Sequence, residues 1–417
     1  MSGKYKDTEL GKIPLDWDIV SFDTVAELRH GYQFRNYDFT DEGIKILKIT
    51  QIKGDGTIDL SSCSYIDKDR VAKFERVIIN KGDILVALTG ATIGKIAKFN
   101  SEELVLQNYR VGNFFPLNEH TLSKDYLFHF LRSKLFFHQI LARQTQSAQQ
   151  NIGKDEINNM LIFLPSNIHE QKAIAKILTA FDDKIELLQE QNKTLEATAQ
   201  TIFKEWFGKY QIGNELPEGW RVGKLGELAN HIKENIKPFE FSYSTFIHYS
   251  LPAYDDGLVP VTEKGKLIKS NKYLVKDKTF LVSKLNPFTP RIWTIFNSAD
   301  NHICSTEFQV LKPIKTFYFS FLHSFLNSKF YTREISKNIQ GTSSSHQRIR
   351  PEDIFNLELI IPSYEDINSF EETVGSFILK KEINHNQIQT LKQTRDTLLP
   401  KLMSGQLRVD EFKESAV

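Results

Sequence analysis

The chain has 417 residues, 40% of them hydrophobic and 25% charged, and its 53 Lys and Arg nearly cancel its 52 Asp and Glu. That balance belongs to an ordinary globular protein of two or three domains and excludes collagen-like, low-complexity and disordered classes. The N-terminal MSGKYKDTEL lacks an apolar core of signal-peptide length, and no stretch approaches the roughly 20 apolar residues of a membrane helix, so a cytoplasmic protein without a membrane partner is expected. Two cysteines, Cys63 and Cys304, are too few for a disulfide framework or a zinc site.

In chain order, the first informative residues are Pro14 and Trp17, because they return as Pro217 and Trp220. Ile84 to Ile96, ILVALTGATIGKI, then aligns without a gap on Phe280 to Ile292, FLVSKLNPFTPRI. Phe99-Asn100-Ser101 returns as Phe296-Asn297-Ser298, Pro116 as Pro313, and LRSK (Leu131 to Lys134) as LNSK (Leu326 to Lys329). The run Ile152 to Pro165 answers Ile349 to Pro362 at equal length. Six ordered matches at offsets of 195 to 203 define a tandem duplication, which implies a pseudo-symmetric object that reads two similar but non-identical things.

Each copy is followed by a long segment of helical period. In the first, Ile174, Leu178, Phe181, Ile185, Leu188, Asn192, Leu195, Ala199, Ile202 and Trp206 recur at alternating steps of four and three, the pattern of a coiled-coil seam. The second gives Phe370, Val374, Phe377, Lys381, Asn384, Ile388, Leu391, Arg395, Leu398 and Leu402, with Lys381 and Arg395 weakening it. Run antiparallel, with paired positions summing to 576, Asn192 meets Asn384 and every other seam residue meets another. A buried Asn pair costs stability and fixes register, so helices over 168–207 and 366–403 are expected to pack this way, with Asn192 and Asn384 as the register residues. The resulting domains are 1–165 and 209–362, with helical spacers 166–208 and 363–417, in an α/β (α+β) fold.

Sites for chemistry are scarce. GATIGK (Gly90 to Lys95) has three residues between its glycines where a phosphate loop has four, and Ile96 stands where Ser or Thr is needed; it reads as a strand-turn-strand with Gly90 and Gly94 at positive φ. Asn286-Pro287-Phe288 lacks one proline of the amino-methyltransferase tetrapeptide and reads as a turn. No HExxH, GxSxG or Cys/His ligand cluster is present, and His129 and His138 fall on a Phe-rich helical stretch. The chain reads as a recogniser without catalytic residues or metal.

HYSLPAYDDG (His248 to Gly257), KLIKSNKYLV (Lys266 to Val275), SKLNPFTPRIW (Ser283 to Trp293) and CSTEFQVL (Cys304 to Leu311) carry a resemblance, together with GDILVALTGATIGKIA (Gly82 to Ala97), QNIGKDEINNMLIFLP (Gln149 to Pro165) and EQKAIAKIL (Glu170 to Leu178). Over essentially its whole length the chain resembles the specificity subunit of a type I restriction-modification system. The resemblance implies two target recognition domains binding the halves of a bipartite, asymmetric sequence in double-stranded DNA. It also implies spacer helices, related by a pseudo-two-fold, that set the gap and dock two methyltransferase subunits. S-adenosylmethionine, ATP and Mg would then be used by the methyltransferase and restriction/translocase partners, with no cofactor on this chain. At roughly 1.5 Å per residue the helices would span roughly 55 Å, beyond the roughly 35 Å of one DNA turn. The charge distribution fits a shared grip: it is 0 over 1–165, −2 over 166–208, +5 over 209–362 and −2 over 363–417. A chain so nearly neutral binds DNA weakly unless partners neutralise phosphates. The alternative is a non-DNA coiled-coil adaptor, separated from the DNA reading by a shift assay with methyltransferase subunits present.

Base edges are read by Arg, Lys, Asn, Gln, Ser and Thr on loops held by a rigid scaffold. In the first module the DNA-binding candidates are Arg35; Lys48, Thr50 and Gln51; Thr89, Gly90, Thr92 and Lys95; Gln107, Asn108 and Arg110; and Gln149 and Gln150. In the second they are Lys266; Lys284, Asn286, Thr289 and Arg291; Ser305, Thr306 and Glu307; and Ser343, Ser345, His346, Gln347 and Arg348.

Overall fold

A computed structural model describes residues 5–143, 151–338 and 347–409. The chain divides into two compact units: residues 1–186 with 389–417, and residues 187–388. The duplication is visible in their strand orders. In unit 1 a four-stranded antiparallel sheet runs Ala26–His30, Val111–Pro116, Ile84–Ala87, Ile96–Lys98; unit 2 repeats it as Ala229–Ile232, Phe308–Pro313, Thr279–Ser283, Ile292–Ile295. The inner strands are apolar runs buried on both faces: Ile84, Leu85, Val86 and Ala87 are all buried, as are Phe280, Leu281 and Val282.

A second sheet in each unit has one parallel pair at its centre, Ile44–Leu47 beside Val105–Gln107 in unit 1 and Thr245–Tyr249 beside His302–Ser305 in unit 2. Ser64–Ile66 and Ile78–Ile79 flank the first pair; Val261–Lys264 and Lys272–Leu274 flank the second. The copies differ in the fifth strand. Phe39–Thr40 adds beside Ser64–Ile66 in unit 1, whereas Asn235–Ile236 adds beside Lys272–Leu274, the other edge, in unit 2.

A two-stranded ribbon leads into each long helix: Trp17–Ser21 with Leu161–Pro165, and Arg221–Lys224 with Glu358–Ile361. The repeated tryptophans are explained here. Trp17 is fully buried and its Nε1 donates to Glu170 at 3.2 Å, while Trp220 Nε1 donates to Asp366 at 2.7 Å, so each indole ties its ribbon to the first turn of the helix that follows. The side chain of Asn167 accepts from His169 N at 2.9 Å, and that of Ser363 from Asp366 N at 3.1 Å, capping the two helix starts.

The helices span Ile168–Trp206 and Tyr364–Met403. The compact units do not stop at the helix starts, as domains 1–165 and 209–362 do, because each unit takes part of both helices into its own core. In unit 1, Ile174 and Leu178 share a cluster with Leu398, Leu402 and Met403; in unit 2, Ala199 and Phe203 share one with Phe370 and Val374. Within each unit the helix segments run antiparallel. Asn384 is fully buried and its Nδ2 donates to Asn192 Oδ1 at 3.0 Å. Lys381 and Arg395, expected to weaken the seam, are instead paired: Lys381 with Glu196 at 2.5 Å in unit 2, and Arg395 with Asp182 at 2.6 Å in unit 1. The same carboxylates also hold the module. Arg132 meets Asp182 at 2.5 Å, and His323 Nε2 lies 3.4 Å from Glu196.

Just past the end of the second helix stands Gly405, where φ of +67° suits glycine, and an added Cβ would lie 2.4 Å from Pro14 Cγ. Arg408 then bonds Asp16 at 2.8 Å and Glu170 at 2.8 Å, and the Tyr5 hydroxyl donates to the Gly405 carbonyl at 3.3 Å.

Candidate nucleic-acid interface

Strand register decides which candidate loops meet. In unit 1, Ala87 pairs with Val111 and His30 with Gly112. The turn after Ala87, the turn before Val111 and the segment after His30 therefore share one end of the four-stranded sheet. Leu47 is the parallel partner of Gln107, which brings Lys48 to the same end. The turn at Asn108 to Arg110 carries the chain from one sheet to the other, and neighbouring backbone is stitched to it. Tyr32 N donates to the Gln107 carbonyl at 2.9 Å, Asn108 N to Leu47 at 3.1 Å, and Leu88 N to Arg110 at 3.1 Å. Gly31 makes this possible, because a Cβ there would lie 2.1 Å from the Gln107 carbonyl oxygen.

Side chains at this end divide into two groups. Gln51 and Gln107 belong to the scaffold: Gln51 is buried, accepts from Lys48 N at 2.9 Å and donates to the Ser62 carbonyl at 3.0 Å, while Gln107 is buried and donates to Arg29 and Val111 carbonyls at 3.0 and 2.8 Å. Asn108 is buried and accepts from Arg110 N at 3.3 Å. Arg35, Thr50 and Arg110 are exposed, and Lys48, Thr89, Thr92 and Lys95 half-buried. Among the described residues the side chains of Arg35, Lys48, Lys95 and Arg110 form no ion pair with a carboxylate. Arg110 Nε donates to the Tyr109 hydroxyl at 2.6 Å, and Lys48 Nζ to Ser64 Oγ at 2.7 Å. The buried carboxylate of Asp38 accepts from Arg35 N at 2.8 Å; this bond, aided by Arg70, keeps it below the usual range despite burial. Gly90 and Gly94 sit at φ of +69° and +77°, as the strand-turn-strand reading requires. Thr89 pairs with Asn151; Gln149 and Gln150 lie outside the described residues.

Unit 2 repeats the gathering. Ser283 pairs with Phe308, so the Lys284 to Arg291 turn and the Ser305 to Glu307 turn share one end, and the second again passes between sheets. Lys284 N donates to the Glu307 carbonyl at 2.8 Å, Asn286 N to Gln347 at 3.2 Å and Ile349 N to Lys284 at 3.0 Å. Asn286 and Thr289 are exposed, with Asn286 at φ +54°, a conformation Asn tolerates. The cations here are engaged. Lys284 Nζ donates to the Thr306 carbonyl at 2.6 Å, and burial holds its amine below the usual lysine range. Exposed Arg348 meets Glu307 at 3.2 Å, while Ser305 Oγ accepts from Glu307 N at 3.3 Å. Arg291 makes a forked pair with Asp255 at 2.7 and 2.9 Å, which raises its pKa further.

Lys266 is not brought to this end. Lys264 pairs with Thr245 and Val261 with His248, so the residues after Lys264 stand at the start of Thr245–Tyr249, whereas the gathered turns stand at its finish. Ser343, Ser345 and His346 lie outside the described residues. What the loop pattern missed is the short helix Leu251–Asp255, which follows Tyr249 at the gathered end and supplies Asp255. Its signal was the shared Asp-Gly, Asp55-Gly56 against Asp256-Gly257, marking it as the counterpart of Ile49–Gln51.

Each of the two α/β units thus brings short turns from two sheets to one end, dressed with Arg, Lys, Asn and Thr. Residues 14–197 match the family described as the type I restriction modification DNA specificity domain. The chain is 25% identical, over an alignment of 464 residues covering 98% of each sequence, to the type I restriction enzyme MjaIX specificity subunit of Methanocaldococcus jannaschii. It is 23% identical to the putative MjaX specificity subunit of the same organism, with 97% of each covered. The crystal structure of the type I restriction-modification S subunit from M. genitalium shares the fold, with a TM-score of 0.62 at 17% identity over 96% of this chain and 99% of that one. Over nearly its whole length the chain is thus similar to specificity subunits of type I restriction enzymes, and in fold to a type I restriction-modification S subunit. Among the described residues no group of three or more His, Cys, Asp or Glu is arranged to hold a metal, and no helix is long and apolar enough to cross a membrane.

Proposed function

We propose that this chain is the non-catalytic subunit that selects the DNA target of a type I restriction-modification complex. Residues 1–165 and 209–362 act as target recognition domains, each reading one half of a bipartite, asymmetric site. The helices of 166–208 and 363–417 act as a spacer that sets the gap and docks two methyltransferase subunits; restriction/translocase subunits join them. Methyl transfer and DNA translocation are the work of those partners.

The observation that carries the reading is the gathering, in each unit, of turns from two sheets around a chain crossing, with Arg35, Thr50 and Arg110 exposed in unit 1 and Asn286, Thr289 and Arg348 exposed in unit 2. Bases are discriminated by such groups on a rigid frame, and phosphate contacts from partner subunits supply the remaining affinity. The two turns differ, GATIGK against NPFTPR, so the half-sites differ in sequence. The Asn192–Asn384 pair supports the spacer role, because fixed register is what a ruler needs.

The test is to express the full chain with its methyltransferase partners and map methylated adenines. The expected result is one bipartite motif, and inserting the same few residues into both helices should widen its gap while leaving both half-sites unchanged. Altered half-site bases in that variant refute the division of labour; absence of any sequence-specific methylation refutes the reading.

A further inference from the structure

Behind the Lys284 to Arg291 turn of unit 2 stands the short helix Lys329–Ile335, continued by Ser336 to Asn338. It is tied to the turn directly: Ser336 Oγ donates to the Pro287 carbonyl at 3.2 Å. Between them lies an open groove of about 580 Å³, lined by Phe288, Lys329, Thr332, Arg333 and Lys337 among others. Phe288, at the tip of the turn, is 60% exposed. Three cations at steps of four occupy one helix face, and all three are exposed. Among the described residues the carboxylate ion-paired with the row is Glu334, whose two oxygens hold Arg333 at 2.9 Å and Lys337 at 2.6 Å; Glu358 lines the adjoining groove, so three cations face two carboxylates there. Glu334 is itself only 19% exposed, while the side chains of Arg333 and Lys337 remain 68% and 63% exposed.

Among the described residues, the counterpart helix of unit 1, Lys134–Arg143, carries no such row. By the alignment of LRSK with LNSK, the same positions are Lys134, His138 and Ala142, a single permanent charge. The corresponding helix still supports its turn, since a Cβ on Gly94 would meet Phe137 at 3.1 Å. The scaffold contact is therefore common to both units and the cationic face belongs to one. This accounts for part of the +5 carried by 209–362.

We infer that Lys329, Arg333 and Lys337 are a phosphate clamp for the DNA strand flanking the half-site read by unit 2, with Phe288 in apolar contact beside it. The inference rests on the DNA-recognition reading. From Lys329 to Lys337 the row extends roughly 12 Å at about 1.5 Å per residue, enough for three phosphates at about 3.4 Å of rise along one strand. The clamp carries no sequence information. It anchors the second module's turn on the duplex, and it makes that module's binding the more salt-sensitive of the two.

The experiment compares the full chain with the variant Lys329→Gln, Arg333→Gln, Lys337→Gln, checked for unchanged thermal unfolding. Each is titrated with a fluorescent duplex of random sequence over a series of salt concentrations, and with the mapped target in the presence of methyltransferase subunits. Each lost phosphate contact removes about 0.9 from the slope of log affinity against log salt, so the slope should fall by about 2 to 3 while the ratio of target to random binding stays constant. Lys266→Gln, at the far end of the sheet, should leave the slope unchanged. A folded triple variant that keeps the wild-type slope overturns the clamp and leaves the recognition reading standing. A wild type that binds no duplex even with its partners overturns both.

Discussion

Replacing Asn384 by Leu should stabilise unit 2. Asn384 is fully buried; its Nδ2 has Asn192 Oδ1 at 3.0 Å and a longer contact to Gln191 at 3.4 Å, while its Oδ1 has no hydrogen-bond partner. A buried acceptor left unsatisfied costs about 1–3 kcal/mol, and the bonds lost on substitution are worth about 1 kcal/mol each. A buried Leu side chain contributes about 1.5–3 kcal/mol, and it branches at the same carbon as Asn. Asn192 is not stranded by the change, because it is half-buried and its own Nδ2 still donates to the Lys381 carbonyl at 3.3 Å. The balance is a gain of about 1–3 kcal/mol, obtained by giving up the polar contact that distinguishes one register from another. Guanidinium unfolding followed by tryptophan fluorescence is the assay, since Trp206, Trp220 and Trp293 fall within 187–388 and only Trp17 outside it. The midpoint should rise at unchanged slope. A lower midpoint would mean that the Asn pair stabilises the helices outright, and the reasoning fails.

Burial pushes the Asp182 carboxyl up, but Arg132 and Arg395 on either side together outweigh it and hold the group below its ordinary value. Its contribution is therefore complete above the ordinary aspartate value of about 4 and is lost as pH falls through the depressed one. Asp182→Asn should cost about 3 kcal/mol at neutral pH, with the gap to wild type closing below about pH 4 in urea titrations; a gap that does not vary with pH contradicts this. Gly31→Ala drives a methyl into the Gln107 and Asn108 carbonyls, at 2.1 and 2.5 Å, and should cost about 1–3 kcal/mol. Footprinting of the assembled complex should then show protection lost over one half-site only, and loss over both would place the fault elsewhere. Arg291→Ala breaks a pair whose Asp255 is half exposed, so stability should change by less than about 1 kcal/mol. Binding to single-base variants of the target should relax at one position, by about 1–3 kcal/mol, and unchanged affinity and specificity would remove Arg291 from the interface.

The sequence showed most clearly what is periodic. The duplication, the two long helices and the Asn192–Asn384 partnership all follow from spacing along the chain, and positive φ at Gly90 and Gly94 follows from residue type. What depends on long-range register was hidden. Lys381 and Arg395 read as flaws because their partners, Glu196 and Asp182, lie one position off the seam and become neighbours only once the helices are run antiparallel. Lys266 was grouped with loops that its strand carries it away from, since nothing local says which end of a hairpin faces a distant turn. Arg291 finds Asp255 across 36 residues, and Gln51 and Gln107, chosen as amide readers, satisfy backbone groups inside the scaffold. The fifth strand changes edges between copies although the flanking strands keep their order, and no spacing in the chain announces this.

That unit 1 is assembled from residues 1–186 and 389–417 has a consequence for the order of events on the ribosome. Unit 2 has its whole complement of residues once Ile388 has been made. Unit 1 must wait with an apolar surface around Ile174 and Leu178 open, because Leu402 and Met403, both fully buried, are among the last of its core residues to emerge. At about 5–20 residues per second, the roughly 200 intervening residues impose a delay of about 10–40 s. The first module to be translated is thus the second to have all its residues, and a chain released between the units would lack Leu402 and Met403 from its first core.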